Sequence, residues 1–398
     1  MHVLPYLAVQ PDAADAWADV RTGAAPHAAV WASAYRAAPQ RTSVHATVHI
    51  ADHGRSLAST DPALAVHARS ATCVAAACAP LGMPTTDVHL ATRTGLLPGA
   101  HGTRRGAWAL ALATSPASGL HRWCAGGPDG TLHVGEWAPA ADAPFAVPIP
   151  LAGHRADITS VRFFPSGEVV LSTSLDTTAR IYSALDGANP RTLTGHTRAV
   201  YASAMLGRGR EVLTGSLDAT VRLWDVGAAR TTATLAADDG VLALDAHGPQ
   251  HAVGGTERGT LAVWDVRAGA AAAAAAAVPA APDGDARGVA ALAVDGARVA
   301  VGTRAGVCAV YDVRQLQAPL AAVWRNTAEV TDVRWLGGAV AVATSDGLPF
   351  RWTLAPDVRV VDEWVGWDAD AVDALCDDAH GALVAAGAGG AWALYAPR

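Results

Sequence analysis

His154, Ser172 and Asp176 are followed, each 42 residues later, by His196, Thr214 and Asp218. These are the residue types of nucleophilic hydrolysis: an imidazole to take a proton, a hydroxyl to attack and a carboxylate to orient the ring. Their recurrence argues against that chemistry. A nucleophile site is one exposed constellation with an oxyanion hole, whereas a set repeated at equal spacing is a structural device. No Gly-x-Ser-x-Gly elbow accompanies either set. Catalytic residues are therefore assigned to none, and the chain is expected not to be an enzyme.

Other candidates weaken in the same way. His45, His49 and His53 recur every four residues and would align metal ligands on a helix, yet Val44, Ala46, Val48 and Ile50 alternate as in a strand. Leu206-Gly-Arg-Gly-Arg210 lacks Walker spacing and a following helix pattern, so it reads as a hairpin turn and not as a phosphate cradle. The five cysteines, Cys73, Cys78, Cys124, Cys308 and Cys376, are odd in number and include no C-x-x-C. That pattern argues against a disulfide framework or a structural zinc and fits a reducing compartment. Neither metal nor cofactor is expected.

Composition narrows the class further. The chain has 398 residues, 51% of them hydrophobic, enough for one large β domain and a smaller extension. With 16% charged residues and a formal net charge of -7, it lacks the basic excess that neutralises phosphates, so nucleic acid is not an expected partner. No basic n-region leads an apolar stretch near Met1, and no window offers about eighteen uninterrupted apolar residues. A soluble cytoplasmic and nuclear protein, without membrane partners, is the expectation. All 29 basic residues are arginine. A GC-rich genome is one reading; the absence of ubiquitin-acceptor lysines in a protein working beside degradation machinery is another.

The elements that must position these residues follow from a repeat. Aromatic residues closing a short alternating stretch fall at Trp137, Tyr182, Trp224, Trp264, Tyr311, Trp352 and Tyr395, at intervals of 45, 42, 40, 47, 41 and 43 residues. A period of about 40 to 45 residues with alternating strands is the signature of propeller blades. The units opening at Gly153-His154 and Gly195-His196 resemble the WD-repeat family. That resemblance implies a buried hydrogen-bonded chain in each blade: His196, Thr214, Asp218 and Trp224 in the third, and His154, Ser172, Asp176 and Tyr182 in the second. In the second blade tyrosine replaces tryptophan, which puts the terminal bond in question. Glu257-Arg258-Gly259, Arg304-Ala305-Gly306 and Gly389-Gly390 replace the aspartate turn of the fourth, fifth and seventh blades. The expected fold is all-β, a seven-bladed WD-repeat β-propeller over 101–398, with a separate N-terminal extension of mixed structure over 1–100. The alanine run at about 268–281 reads as a low-complexity insertion between blades.

Phe163-Phe-Pro-Ser-Gly-Glu-Val-Val-Leu171 and Leu206-Gly-Arg-Gly-Arg-Glu-Val-Leu213, the latter leading into Ser216-Leu-Asp-Ala-Thr-Val-Arg-Leu-Trp-Asp225, depart from a generic repeat. They resemble the proteasomal ATPase-associated factor family. The resemblance implies an assembly chaperone of the 26S proteasome's 19S regulatory particle that binds the C-terminal domain of an ATPase subunit of the base and is monomeric before complex formation. A compatible surface is present at the blade entrances, where Asp157, Asp238, Asp239, Asp283, Asp285, Glu329, Asp370 and Asp373 would complement a basic domain and steer its approach. Tyr201, with Arg198 nearby, would supply an aromatic anchor. The alternative reading is a generic WD-repeat scaffold or adaptor in a ubiquitin ligase or chromatin complex. An enzymatic propeller would need acids or histidines converging on the central channel, and the sequence identifies none.

Overall fold

The computed structural model describes every residue except 38–40, 99, 101–107, 117, 139–144, 270–273, 283, 285–287, 368–369, 379–380 and 397–398. Seven blades, each built on four antiparallel strands in up-and-down order, follow one another from Ala109 to Tyr395, the seventh drawing its outer strand from earlier in the chain; His2–Val3 adds a parallel edge strand to the fifth. The first strands of the seven, Ala109–Thr114, Ile158–Phe163, Val200–Leu206, Val241–His247, Val289–Asp295, Val330–Leu336 and Val372–Asp377, lie innermost. Each packs against the next, and the seventh packs against the first. The result is a closed seven-bladed β-propeller around a central channel, an architecture that leaves only short, protected sheet edges.

Alternation along the strands explains the burial. Val170, Val212, Val253, Val299, Val340 and Val384 are fully buried on the second strands, and Tyr182, Trp224, Trp264, Tyr311, Trp352 and Tyr395 lie at 1% exposure or less on the third. These rings are the repeat aromatics of the sequence, and they fill the space between neighbouring blades.

Ring closure uses the N-terminal part of the chain. The outer strand of the seventh blade is Arg93–Leu96, paired antiparallel with Ala391–Tyr395 so that Ala391 faces Leu96 and Leu394 faces Arg93. This strand lies before residue 100, where the extension was expected to end. The alanine run differs as well: Ala274–Ala277 is the outer strand of the fourth blade, paired with Thr260–Val263, and not an insertion outside the blades. Alanine has modest strand propensity, but here the ladder offered by the third strand decides the conformation.

The first ninety residues form a small sandwich. One sheet holds Tyr6–Val9, Ala28–Arg36, Thr42–Ala51 and Ser56–Ser59, with the helix Ala13–Thr22 packed against it. The other holds Leu64–Ser70, Cys73–Cys78 and Met83–Leu90, and it continues the sixth blade because Met83–Leu90 pairs in parallel with Arg359–Val365. Trp17, Val20, Val30, Ile50, Leu64 and Val88 make one apolar core between the layers. His45 and His49 stand on a strand and His53 in the turn beyond it. Among the described residues no group of histidine, cysteine or acidic side chains has the arrangement of a metal site, and no helix is long and apolar enough to cross a membrane.

Two consecutive acids on the last strand of the sixth blade clasp the sandwich. Glu363, 1% exposed, accepts from Arg325 Nη2 at both carboxylate oxygens, each at 3.0 Å, and from the Leu7 backbone N–H at 3.3 Å. Asp362, fully buried, points to the other side of the strand and pairs with His89 at 2.9 Å and with Arg351. Charges this deep are tolerated only when paired, so removing one partner is costly.

Candidate functional site

The repeated His/Ser/Asp sets come together inside the blades. In the third blade the His196 Nδ1 faces Asp218 Oδ2 at 2.8 Å, its Nε2 faces Thr214 Oγ1 at 2.7 Å, and the Trp224 indole N–H donates to Thr214 Oγ1 at 2.8 Å. One proton arrangement satisfies all three: His196 is neutral with the proton on Nδ1, Asp218 accepts it, and the Thr214 hydroxyl donates to Nε2 while accepting from the indole. Asp218 also accepts the Thr197 N–H, the Thr220 N–H and the Thr220 hydroxyl. Burial holds the histidine below its ordinary pKa. It pushes Asp218 upward, but the Thr220 and His196 hydrogen bonds outweigh it and leave the carboxyl below its ordinary value.

The second blade repeats the chain up to its last link. His154 bonds Asp176 and Ser172, each at 2.8 Å, but the Tyr182 hydroxyl donates to the Ala152 carbonyl at 3.2 Å and not to Ser172. Tyrosine is longer than the indole N–H it replaces and reaches past the serine. Ser172 and Thr214 are fully buried, so neither hydroxyl can meet a substrate. The other blades lack the polar partner: Gly254 stands where Thr214 stands, and the Trp264 indole turns instead to the Ala236 carbonyl at 2.9 Å.

The channel holds the other cluster. It encloses about 960 Å³, and Asp157, Tyr201, Glu329 and Asp373 all line it. Acids therefore do converge on the channel, contrary to the sequence expectation, and a register device places one of them, Asp373, there. The first strands of blades two to seven each carry a β-bulge at their entrance, between Ile158 and Ser160, Val200 and Ala202, Val241 and Ala243, Val289 and Ala291, Val330 and Asp332, and Val372 and Ala374. The extra residue of each bulge, among them Tyr201 and Asp373, borders the channel. Asp157 and Glu329 occupy the position just before the first strand in blades two and six.

Each acid has a definite environment. Asp157 accepts the Asp129 N–H at 3.0 Å. Glu329 pairs with Arg304 Nε at 3.2 Å. Asp373 accepts the Trp108 N–H at 3.1 Å; burial pushes its pKa up to about 7, against the pull of that N–H and with the help of the Glu329 charge. Deeper in the channel, Arg162 reaches Asp245 at 3.5 Å and Arg334 pairs with Asp332 at 3.1 Å. Asp245 also accepts the Val294 N–H, and Asp332 the Leu375 N–H, which ties each blade to the next.

The remaining residues of the anticipated face do not line the channel. Arg198 is exposed and donates to the Leu217 carbonyl, Asp238 accepts from the Thr260 hydroxyl, Asp239 pairs with Arg258, and Asp370 is exposed. Asp283 and Asp285 lie outside the described residues. Sequence reasoning passed over Arg304 and Trp108 as channel residues. No local signal marks either: the β-branched residue before each bulge, as in Ile158-Thr-Ser, Val200-Tyr-Ala and Val372-Asp-Ala, points to the bulge residues alone.

Comparison with known proteins agrees with this geometry. Residues 148–183 and 187–225 match the WD domain, G-beta repeat. Residues 212–351 match the Nucleolar protein 10-like, N-terminal domain. A segment of 40 residues is 52% identical to the 26S proteasome regulatory subunit RPN14 of Saccharomyces cerevisiae; it covers 10% of this chain and 10% of that protein. Seven cyclically packed antiparallel sheets, two of them matching the repeat, make this chain a WD-repeat β-propeller protein.

Proposed function

We propose that this chain is a protein-binding chaperone that assists assembly of the proteasome's 19S regulatory particle by engaging the C-terminal domain of an ATPase subunit of the base. The observation that carries the reading is the 52% identity over 40 residues to a proteasome regulatory subunit. The acidic rim around the channel is compatible with it: Asp157, Glu329 and Asp373 line the mouth, with Asp238, Asp239 and Asp370 at other blade entrances. Such a field attracts a basic domain and raises the rate of encounter more than it raises affinity. Tyr201 supplies an aromatic contact on the same rim.

A second reading, a scaffold or adaptor in a different complex, draws on the match of 212–351 to the Nucleolar protein 10-like domain. Isolation of the tagged protein from its own cell extract at moderate salt, with mass spectrometry of what accompanies it, separates the two. Regulatory-particle ATPases without the 20S core support the chaperone. Ligase, chromatin or nucleolar subunits in their place leave the scaffold reading.

A further inference from the structure

We propose that the face of the propeller opposite the blade entrances carries a docking site, at the boundary of blades one and two, for an acidic side chain flanked by leucine on a protein partner. The site lies away from the channel mouth and is independent of the chaperone reading.

Arg122 stands near the start of the second strand of blade one and is only 8% exposed. Its Nη1 donates to the Ala184 carbonyl of blade two at 3.0 Å, and this is its one hydrogen bond among the described residues. Nε is sealed from solvent without an acceptor, whereas Nη2 has no partner among those residues and is not sealed. A guanidinium this deep is ordinarily matched by a carboxylate. Arg325, 4% exposed, follows that rule with Glu363 at 3.0 Å. Charged residues at the start of the second strand find a strong partner in the next blade elsewhere too: Glu211 pairs with Arg267 at 2.8 Å, and Arg298 lies 4.7 Å from the centre of the Trp335 ring. Arg122 meets only a carbonyl there. The carboxyls beside it do not serve it. Glu136, opposite Arg122 in the ladder, is exposed and makes no ion pair with it, and Glu168 accepts from the Ser115 hydroxyl at 3.2 Å.

Two exposed leucines flank the guanidinium. Leu120, 44% exposed, precedes it in the hairpin of blade one, and Leu185, 57% exposed, follows Ala184 in blade two. An open donor between apolar side chains matches a partner segment in which a carboxylate is neighboured by leucines. The carboxylate completes the hydrogen bonds of the guanidinium and neutralises it, and the leucines remove apolar surface from water. Glu136 and Glu168 favour a singly charged carboxylate over a phosphate, whose second charge they would repel.

The test titrates the full chain by calorimetry with acetyl-Leu-Glu-Leu-amide and with its glutamine counterpart. The glutamate peptide is expected to bind about ten-fold more tightly, the worth of a hydrogen bond to a charged group. Arg122→Met should remove that preference without lowering the melting temperature, since methionine leaves no charge unpaired. Leu185→Ser should weaken both peptides, while Leu320→Ser, at an equally exposed leucine of blade five, should weaken neither. Equal affinity of the two peptides, no binding of either, a preference that persists in Arg122→Met, or unchanged affinity in Leu185→Ser overturns the site. A lower melt for Arg122→Met makes Arg122 a tie between blades and overturns it as well.

Discussion

The ring of Phe164 in the second blade covers Gly209 in the third so closely that a Cβ added to Gly209 would lie 2.4 Å from its Cδ1. Phe164 belongs to the Phe-Phe-Pro-Ser-Gly run and Gly209 to the Gly-Arg-Gly turn, so the two segments that carry the resemblance meet across one blade boundary. Their joint presence is a packing requirement: a bulky ring above the hairpin demands a residue without a side chain below it. Gly209 also has φ +84°, a conformation that glycine adopts without strain.

Gly209→Ala is therefore expected to destabilise the propeller by about 2–4 kcal/mol, the sum of backbone strain and overpacking. Gly207, with φ +56° but open space around it, should lose only about 1 kcal/mol on the same change. Chemical denaturation of the two variants checks the difference, and equal losses would remove the Phe164 contact as the cause.

The buried chains in blades two and three set the response to acid. His154 and His196 are held below their ordinary value of 6.5 chiefly by burial, so below that pH the unfolded chain binds more protons than the native one and stability falls. Asp176 and Asp218 are held below 3.8 by their hydrogen-bond donors despite burial, so their contribution stands above that pH and is lost as acidity passes their lower native values. The melting temperature should decline from about pH 6.5 downward. His196→Asn should start lower by about 1–3 kcal/mol at pH 7 and decline less steeply. An identical slope in parent and variant would exclude the histidines as the cause.

Much of this was legible in the sequence because the third-strand aromatics recur with the blade period, and Trp224, Trp264 and Trp352 occupy equivalent buried positions. What escaped reading was whatever depends on chain segments far apart. Nothing local in Arg93–Leu96 marks it as the partner of Ala391–Tyr395, nearly 300 residues on. The alanines at 274–277 have no side-chain pattern, and only the ladder beside them makes a strand. The channel acids were noticed as loop residues, but the inward direction of Asp373 depends on a one-residue bulge between Val372 and Ala374.

Asp373 responds to pH in the opposite sense from the buried histidines. Its native pKa of about 7 lies above the ordinary 3.8, so between these values the native state binds the extra proton and stability falls as pH rises. Asn cannot ionise yet still offers an oxygen to the Trp108 N–H. Asp373→Asn should be more stable than the parent at pH 8, on the order of 1 kcal/mol after allowance for partial exposure, and the gain should vanish toward pH 4. Melting curves at both pH values test this; a variant less stable at pH 8 would mean that the ionised carboxyl is compensated.

The last strand to complete the propeller comes from before the first blade, which makes the ring dependent on residues that sequence periodicity would assign elsewhere. A chain beginning at residue 101 lacks Arg93–Leu96, leaving the edge of Ala391–Tyr395 unpaired and Trp392, whose ring lies 3.0 Å from the Cβ position of Gly95, uncovered. It also lacks the strand that covers the sixth blade and the His89 and Leu7 groups that pair with Asp362 and Glu363. Asp362 would then lose His89 and Glu363 the Leu7 N–H, while Arg351 and Arg325 stay with them, at a cost of about 1–3 kcal/mol for each lost hydrogen bond. That chain should be poorly soluble or lose its cooperative melt. A chain beginning at residue 91 keeps the closing strand but still loses the clasp, so it should recover part of the stability. Asp362→Asn combined with Glu363→Gln in the 91–398 chain should lower it again, since Arg351 and Arg325 are then left without their carboxylates. If the 101–398 chain melts as cooperatively and as high as the full protein, the closing strand contributes nothing that the other blades do not already supply.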